Sequence, residues 1–348
     1  MDVSLKTIAQ MTGLSITTVS HAINGTRTVS KRSKRLVEEA IRQTGYKPNL
    51  AAQMLKTNRS KIVALLIPAT EPNNFTNSFF FDVLNGAREH LAANDYDLMI
   101  ATYPELRLEK QLDNFQLLKK RLVDGILLVP PTRHLKVLEK ICALNLPLVL
   151  LDRRVEGSKL PMVYSDNMEG ACQAVHLLAQ GGRKRIAFLG GNMEFSTTYD
   201  RYLGYCRGLQ ELSLPVEEKL VFKDLKYSVQ EGEKVTEFLM QEKADAIFAA
   251  NNVLLLGVLS YFKAHSIRSP EEVSVISYDD SDWMQVTNPT ITATFQDPYR
   301  IGEEGAELLM RALSGEDITG IKIVLPCELI LRQSHLGNRQ ECDEEKGE

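Results

Sequence analysis

The sequence lacks the marks of a secreted, membrane-spanning or catalytic protein. No apolar stretch approaches the ~20 residues that cross a bilayer. The longest runs, IVALLI at 62–67 and GILLV at 125–129, have the length of strands. No apolar core follows the first residues, so no secretory signal is expected and a cytoplasmic location is. The five cysteines, at 142, 172, 206, 327 and 342, are odd in number and scattered. No CxxC pair or Cys/His ligand run stands out, which argues for reduced thiols and against a disulfide frame or a zinc site. A G-x-S-x-G elbow, a Walker A run and a G-x-G-x-x-G after a strand are all missing. Gly190-Gly191 after RIAFL is only a weak phosphate signal. The expectation is therefore a protein that is not an enzyme and carries no cofactor and no metal. No solenoid-type repeat and no C-terminal a/d heptad run is present.

What is present is unevenly charged. The 348 residues carry a net charge of −4. Residues 1–60 hold ten Lys and Arg against three Asp and Glu, a surplus of seven, so the rest carries −11. A basic head on an acidic body concentrates phosphate attraction at one end.

The head reads as three short helices. Leu5 to Met11 forms the first, with Ile8, Ala9 and Met11 inward; Gly13-Leu14-Ser15 makes the turn, with Ser15 as N-cap. Thr17 to Ile23 forms the second, with Val19, Ala22 and Ile23 inward and Ile16, Thr17, Ser20 and His21 outward. A helix-turn-helix whose second helix is polar at its N-terminal end is built to enter a major groove. Threonine offers a hydroxyl and a methyl for thymine, and histidine can meet a purine edge. Asn24-Gly25 turns the chain, Ser30 caps a third helix with Val37, Ala40 and Ile41 as its stripe, and Gly45 stops it.

The frame TIAxxxGLSxTTVSxxIN, the run VSKxxxxxVxxAIxxxGYKPN and the Leu-Ala-Ala-x-x-Leu-Lys segment resemble the lactose-repressor (LacI/GalR) family of bacterial regulators. TTVSH and the following TRTV are most similar to the purine-repressor branch. The resemblance implies that Ile16, Thr17, His21 and Arg27 face bases, while Ser15, Ser20, Asn24 and Ser30 hold phosphates. It also implies a hinge helix after Pro48-Asn49, with Leu55 wedged into the minor groove and Lys56 beside it. Gln53 and Met54 depart from the family's common Arg-Ser there.

From residue 62 strand and helix patterns alternate. Candidate strands lie at 62–67, 96–101, 125–129 and 148–151, then at 185–190, 246–250, 273–277 and 293–296. Amphipathic stretches between them, such as 80–93, 168–180, 199–212 and 299–313, make this an α/β chain of right-handed βαβ units in doubly wound parallel sheets. Two sets suggest two subdomains. The resemblance implies a periplasmic-binding-protein-like body with crossovers near 160, 290 and 323. The expected organisation is a helical head at 1–48, a hinge helix and linker at 49–61, an effector-binding and dimerisation body at 62–336, and a polar, disordered tail at 337–348. The segment TEPNNFTNSFFF (70–81) is longer than the family's usual turn and reads as a lid or a surface loop.

Ligands of doubly wound sheets bind beyond the carboxyl ends of strands. Asp152, the Asn192–Thr197 segment, Asn251 and Asp279 stand at such ends. The resemblance adds Phe79, Phe80, Arg153, Thr197, Arg201 and Tyr227 as effector contacts. Arginines, carboxylates and aromatic faces suit a polyhydroxylated ring, and could also stack a purine. Asn252 departs from a frequent acidic residue, and Phe195 from the purine-binding pattern. Plainer roles stay open: core or dimer packing for Phe79 and Phe80, helix caps for Asp152 and Asp279, and a surface ion pair for Arg201. The expected function is a DNA-binding regulator, a repressor by resemblance. It would act as a homodimer on a pseudo-palindromic operator and be switched by a sugar or sugar derivative in the interdomain cleft. A phosphocarrier co-regulator is known among the family's members. The competing reading is a non-regulatory solute-binding protein.

Overall fold

The computed structural model describes residues 4–24, 27–46, 59–69, 79–104, 108, 112–119 and 122–337. They divide into two compact units, one within residues 1–60 and one within 61–348.

In the first unit α1 (Leu5–Thr12) opens on a reciprocal cap. Thr7 N donates to Ser4 Oγ at 3.4 Å and Ser4 N donates to Thr7 Oγ1 at 3.2 Å. Gly13, at φ 68°, ends it. Ser15 Oγ then accepts from Thr18 N at 3.1 Å at the start of α2 (Ile16–Asn24). Ser30 caps α3 (Lys31–Thr44) in the same way, and Gly45, at φ 64°, closes it. Ile8, Ala9, Val19, Val37, Ala40 and Tyr46 form the core. Met11, expected inside, is 50% exposed. The inward stripe of α1 is Leu5, Ile8, Ala9 and Thr12, at i, i+3, i+4 and i+7, which leaves Met11 beyond its edge.

The second unit holds two six-stranded sheets. The first contains β1 (Ile62–Ala69), β2 (Asp97–Pro104), β3 (Gly125–Leu128), β4 (Leu148–Leu151), β5 (Met162–Ser165) and β11 (Lys322–Leu325), in the order β11-β5-β4-β3-β1-β2, all parallel. The second contains β6 (Ile186–Leu189), β7 (Val221–Phe222), β8 (Ala246–Ala249), β9 (Ser274–Tyr278), β10 (Thr292–Phe295) and β12 (Glu328–Ile330), in the order β12-β10-β9-β8-β6-β7. Among the described strands only the β10–β12 pair is antiparallel. Strands β5, β7, β11 and β12 are additions to the sequence reading. They are short, and β11 and β12 lie on sheet edges, so neither shows the continuous apolar run that betrays a central strand.

Helices cover the sheets: α4 (Phe79–Ala93) and α11 (Pro298–Leu313) on the first, α7 (Asn167–Gln180), α8 (Ser196–Glu211), α9 (Val229–Gln241) and α10 (Asn252–His265) on the second. Two short helical pieces, α5 (Gln116–Lys119) and α6 (Glu139–Cys142), lie between them in the chain. Helices α4 and α11 approach so closely that a Cβ added at Gly302 would meet Val83 O at 1.9 Å. The chain passes between the sheets three times: between Ser165 and Asn167, between Phe295 and Pro298, and between Leu325 and Glu328. Each face of each sheet has its own apolar cluster, so the two halves are separately cored and meet at a cleft. Among the described residues no helix is long and apolar enough to cross a membrane.

Candidate functional site

In the head, Ile16 and Thr17 are exposed and Ser20 and His21 are half-buried. Their spacing (i, i+1, i+4, i+5) sets all four on one face of α2. Arg27 is exposed, as are Lys31, Arg32, Lys34 and Arg35 on the first turns of α3. Cations crowd the start of α3, where free N–H groups also favour an anion. Residues 49–58 of the hinge, Leu55 and Lys56 among them, lie outside the described residues, as do 70–78 of the segment read as a lid or a surface loop and the tail from 338; Phe79–Phe81, the end of that segment, open α4.

In the body, nine side chains expected at the cleft line one cavity of about 80 Å3: Phe79, Phe80, Asp152, Arg153, Thr197, Arg201, Tyr227, Asn251 and Asp279. Two more line it, Phe195 and Gln296. A larger hollow of about 670 Å3 lies elsewhere, beside Leu259, Phe262 and Pro289, but the charged residues that line it, Lys263, Arg268 and Glu271, are exposed, so no buried charge converges there.

Fold topology explains the convergence. In each sheet the strand order reverses beside its first strand, at β1/β3 and at β6/β8, and residues just past β4, β8, β9 and β10 line the cavity. Asp152 follows β4 and Asp279 follows β9. Neither caps a helix: Asp166 caps α7, and Ser281, not Asp279, stands at the start of the 3-10 turn Asp282–Gln285. Asn251 does cap α10, its Oδ1 accepting from Val253 N at 2.8 Å, which leaves the amide NH2 as the group it can offer to a ligand.

Arg201 is the hub. It is 5% exposed. Its Nε donates to Asn167 Oδ1 and its Nη1 to Ala250 O, both at 2.8 Å, and Nη1 lies 3.7 Å from Asp279 Oδ2. The guanidinium stacks 3.7 Å over the Tyr278 ring. Burial works against its charge, and Asp279, with Tyr278, Tyr227 and Asp152 behind it, outweighs burial, so its pKa lies above the ordinary value. Thr197 and Arg201 lie within the first turns of α8, which starts at Ser196.

Around this hub, Gln296 Nε2 donates to Asp279 Oδ1 at 2.6 Å. Gln296 Oε1 is buried with no partner among the described residues, in a side chain that lines the cavity. Arg153 lies 3.9 Å over the Phe195 ring and donates to Pro130 O. Burial raises the Asp152 pKa from 3.8 to about 6, against the lowering pull of Arg153 and Arg201. Phe79 and Phe80 meet edge to face at 5.4 Å and pack on the core beneath them while also lining the cavity. Tyr227 is held by its hydroxyl, 3.0 Å from Thr198 Oγ1, and by its ring against Gly191, where a Cβ would come within 2.3 Å. Gln296 escapes the sequence reading because it continues the candidate strand ATFQ, which hides its place at a strand end.

Side chains also bridge the two halves at the rim. Arg154, after β4, forks onto Asp200 of α8 at 2.5 and 2.7 Å. Arg133 lies 4.1 Å over the Tyr199 ring, and its backbone N donates to Glu194 O.

A family profile described as "Bacterial regulatory proteins, lacI family" matches residues 4–49, and one for a periplasmic binding protein-like domain matches residues 174–335. The chain is 30% identical to the HTH-type transcriptional regulator RegA of Clostridium saccharobutylicum over 96% of its own length and 99% of that protein. It is 29% identical to the HTH-type transcriptional repressor PurR of Vibrio atlanticus over 90% of its length and 93% of that protein. Among solved structures it is similar to a transcriptional regulator CelR–cellobiose complex, with a TM-score of 0.73, 28% identity and coverage of 95% and 99%. The lac repressor dimer bound to operator and an anti-inducer shares the fold, with a TM-score of 0.84, 21% identity and coverage of 97% and 100%.

Proposed function

The chain belongs to the lacI family of bacterial regulatory proteins, as a DNA-binding transcriptional regulator and not an enzyme; from that premise we propose that a sugar or sugar derivative held in the cleft sets its affinity for a pseudo-palindromic operator. The observation that carries the reading is the makeup of the cavity wall. Two carboxylates, Asp152 and Asp279, balance two guanidinium groups, Arg153 and Arg201, so the wall favours a neutral ligand. Vicinal hydroxyls can donate to a carboxylate and accept from arginine at once, and C–H faces can rest on the Phe79 and Phe195 rings. The similar CelR structure is a complex with cellobiose, a ligand of this chemistry.

In this reading Ile16, Thr17, His21 and Arg27 read bases, Ser20 meets a phosphate, and Leu55 and Lys56 act in the minor groove as a hinge forms over 49–61. The body, 62–336, binds the effector and dimerises, so that two heads address half-sites about one helical turn apart. The protein works in the cytoplasm. Coupling comes from closure of the cleft, which fixes how the two halves sit and thereby whether the heads can dock.

A thermal-shift panel on the full chain tests the ligand class. Mono- and disaccharides, sugar phosphates, purine bases and nucleosides are compared at saturating concentration. A neutral sugar should raise Tm in the wild type and fail to do so in Asp279→Asn. A shift with a purine alone would overturn the sugar assignment. Adding a phosphocarrier protein to the responsive ligand reveals whether a second protein takes part.

A further inference from the structure

One side-chain cluster lies away from the cleft and is used by neither reading surface. Cys172 and His176 stand one turn apart on α7, and Glu211 ends the facing helix α8. Among the described residues these three form a group able to offer one ligand atom each to a common point. We propose that Cys172, His176 and Glu211 form a zinc-binding site that clamps α7 to α8 and keeps one coordination position open to solvent.

The distances support this. Cys172 Sγ lies 3.8 Å from His176 Nε2 and 3.6 Å from Glu211 Oε2, and the latter two atoms are 3.1 Å apart. Ligand atoms around a tetrahedral zinc, with bonds of about 2.0–2.3 Å, stand roughly 3.3–3.6 Å from one another. The three atoms thus already sit near one face of the required tetrahedron, and small side-chain adjustments complete it. Thiolate, imidazole and carboxylate together select zinc over magnesium or calcium, which want oxygen alone.

A supporting shell is also present. Arg207 Nε donates to Glu211 Oε1 at 2.8 Å, which turns Oε2 toward Cys172 and His176. The same guanidinium reaches Glu169 Oε2 at 2.7 Å. With the thiol ionised, Cys172, Glu211 and Glu169 together neutralise Arg207 and a divalent ion. Burial first, and then the nearby carboxylates, push the free Cys172 thiol up to about 11, so zinc must displace its proton, as metal binding to thiols does. The clamp has a clear position in the fold. Helices α7 and α8 also carry Asn167 and Arg201, hydrogen-bonded to each other at the cleft. The sequence reading argues against a zinc site because Cys172-x-x-x-His176 has its third member 35 residues further along.

Titration of the full chain with Co2+, followed by displacement with Zn2+, tests the site. The proposal expects one equivalent bound with a thiolate-to-cobalt charge-transfer band, and a higher Tm with Zn2+. Cys172→Ser should abolish the band with its circular dichroism unchanged, and His176→Gln should weaken binding at least about tenfold. If Cys172→Ser fails to fold, His176→Gln and Glu211→Gln carry the test through the affinity alone. A wild type without saturable binding would overturn the proposal. So would a band that survives in Cys172→Ser, or affinity unchanged in His176→Gln and Glu211→Gln.

Discussion

Asp152 and Asp279 occupy equivalent places in the two halves of the body. Each is the first residue beyond a buried strand, β4 or β9, and each has a left-handed backbone, at φ 64° and 67°. A non-glycine residue held there costs on the order of 1–2 kcal/mol, less for aspartate than for most. Both carboxylates are therefore turned into the cleft at some expense, with the Arg201 charge within reach of both. Strain of this kind concentrates at binding sites.

Replacing Asp152 should change stability in a pH-dependent way. The fold prefers its protonated form, so that contribution is full below 3.8 and lost as pH rises through about 6. The interval corresponds to roughly 3 kcal/mol at full effect. Without ligand, Asp152→Asn should be more stable than the wild type at pH 8, with the gain shrinking toward pH 4.5. Urea denaturation at both pH values checks this, and a gain independent of pH would contradict it.

Arg201 and Asp279 should be coupled. Arg201→Met leaves the partly buried Asp279 without its nearest cation and should cost about 2–4 kcal/mol. Adding Asp279→Asn should recover part of that loss. A double-mutant cycle by chemical denaturation should give an interaction of at least about 1 kcal/mol. Simple additivity would show that the 3.7 Å approach carries no energy.

Arg154 and Asp200 join the halves across the rim. Arg154→Met should favour the open cleft and weaken effector binding by about three- to thirtyfold, measured by titration calorimetry. Its effect on global stability should be small, because the pair is partly solvated and lies outside both cores. Equal affinity in wild type and variant would show that the rim contact does not help to hold the cleft closed.

In the head, base-facing and phosphate-facing residues should separate by salt dependence. Thr17→Ala and His21→Ala should each lose about 1–3 kcal/mol on the specific operator while leaving random DNA binding unchanged. Arg35→Ala should weaken both alike and reduce the salt slope by about one. Fluorescence anisotropy at several salt concentrations distinguishes these patterns.

How far the sequence revealed this arrangement depended on what held each element together. The helices of the head were readable because Ser15, Ser30, Gly13 and Gly45 mark their ends locally. The central strands were readable from their apolar runs, IVALLI and GILLV among them. Strands β11 and β12 were not, since they take their place by long-range pairing with β5 and β10. In the cleft, Asp152, Asn251 and Asp279 were visible as polar residues after apolar strands. Phe79, Arg201 and Tyr227 came only from family resemblance, because their positions depend on how two sheets face each other. Gln296 was missed because it continues the strand pattern at 293–296, and the Cys172–His176–Glu211 group because three-dimensional neighbours far apart in sequence leave no local pattern.

The central claim is that one molecule both reads DNA and answers to a ligand in the cleft. Selection of genomic fragments by the purified full chain, at fixed salt, with and without the ligand from the thermal-shift panel, tests it most directly. The account predicts enrichment of a pseudo-palindrome whose affinity shifts at least tenfold with ligand, and no such shift in Asp279→Asn. Enrichment indifferent to a ligand that still binds the body would contradict it.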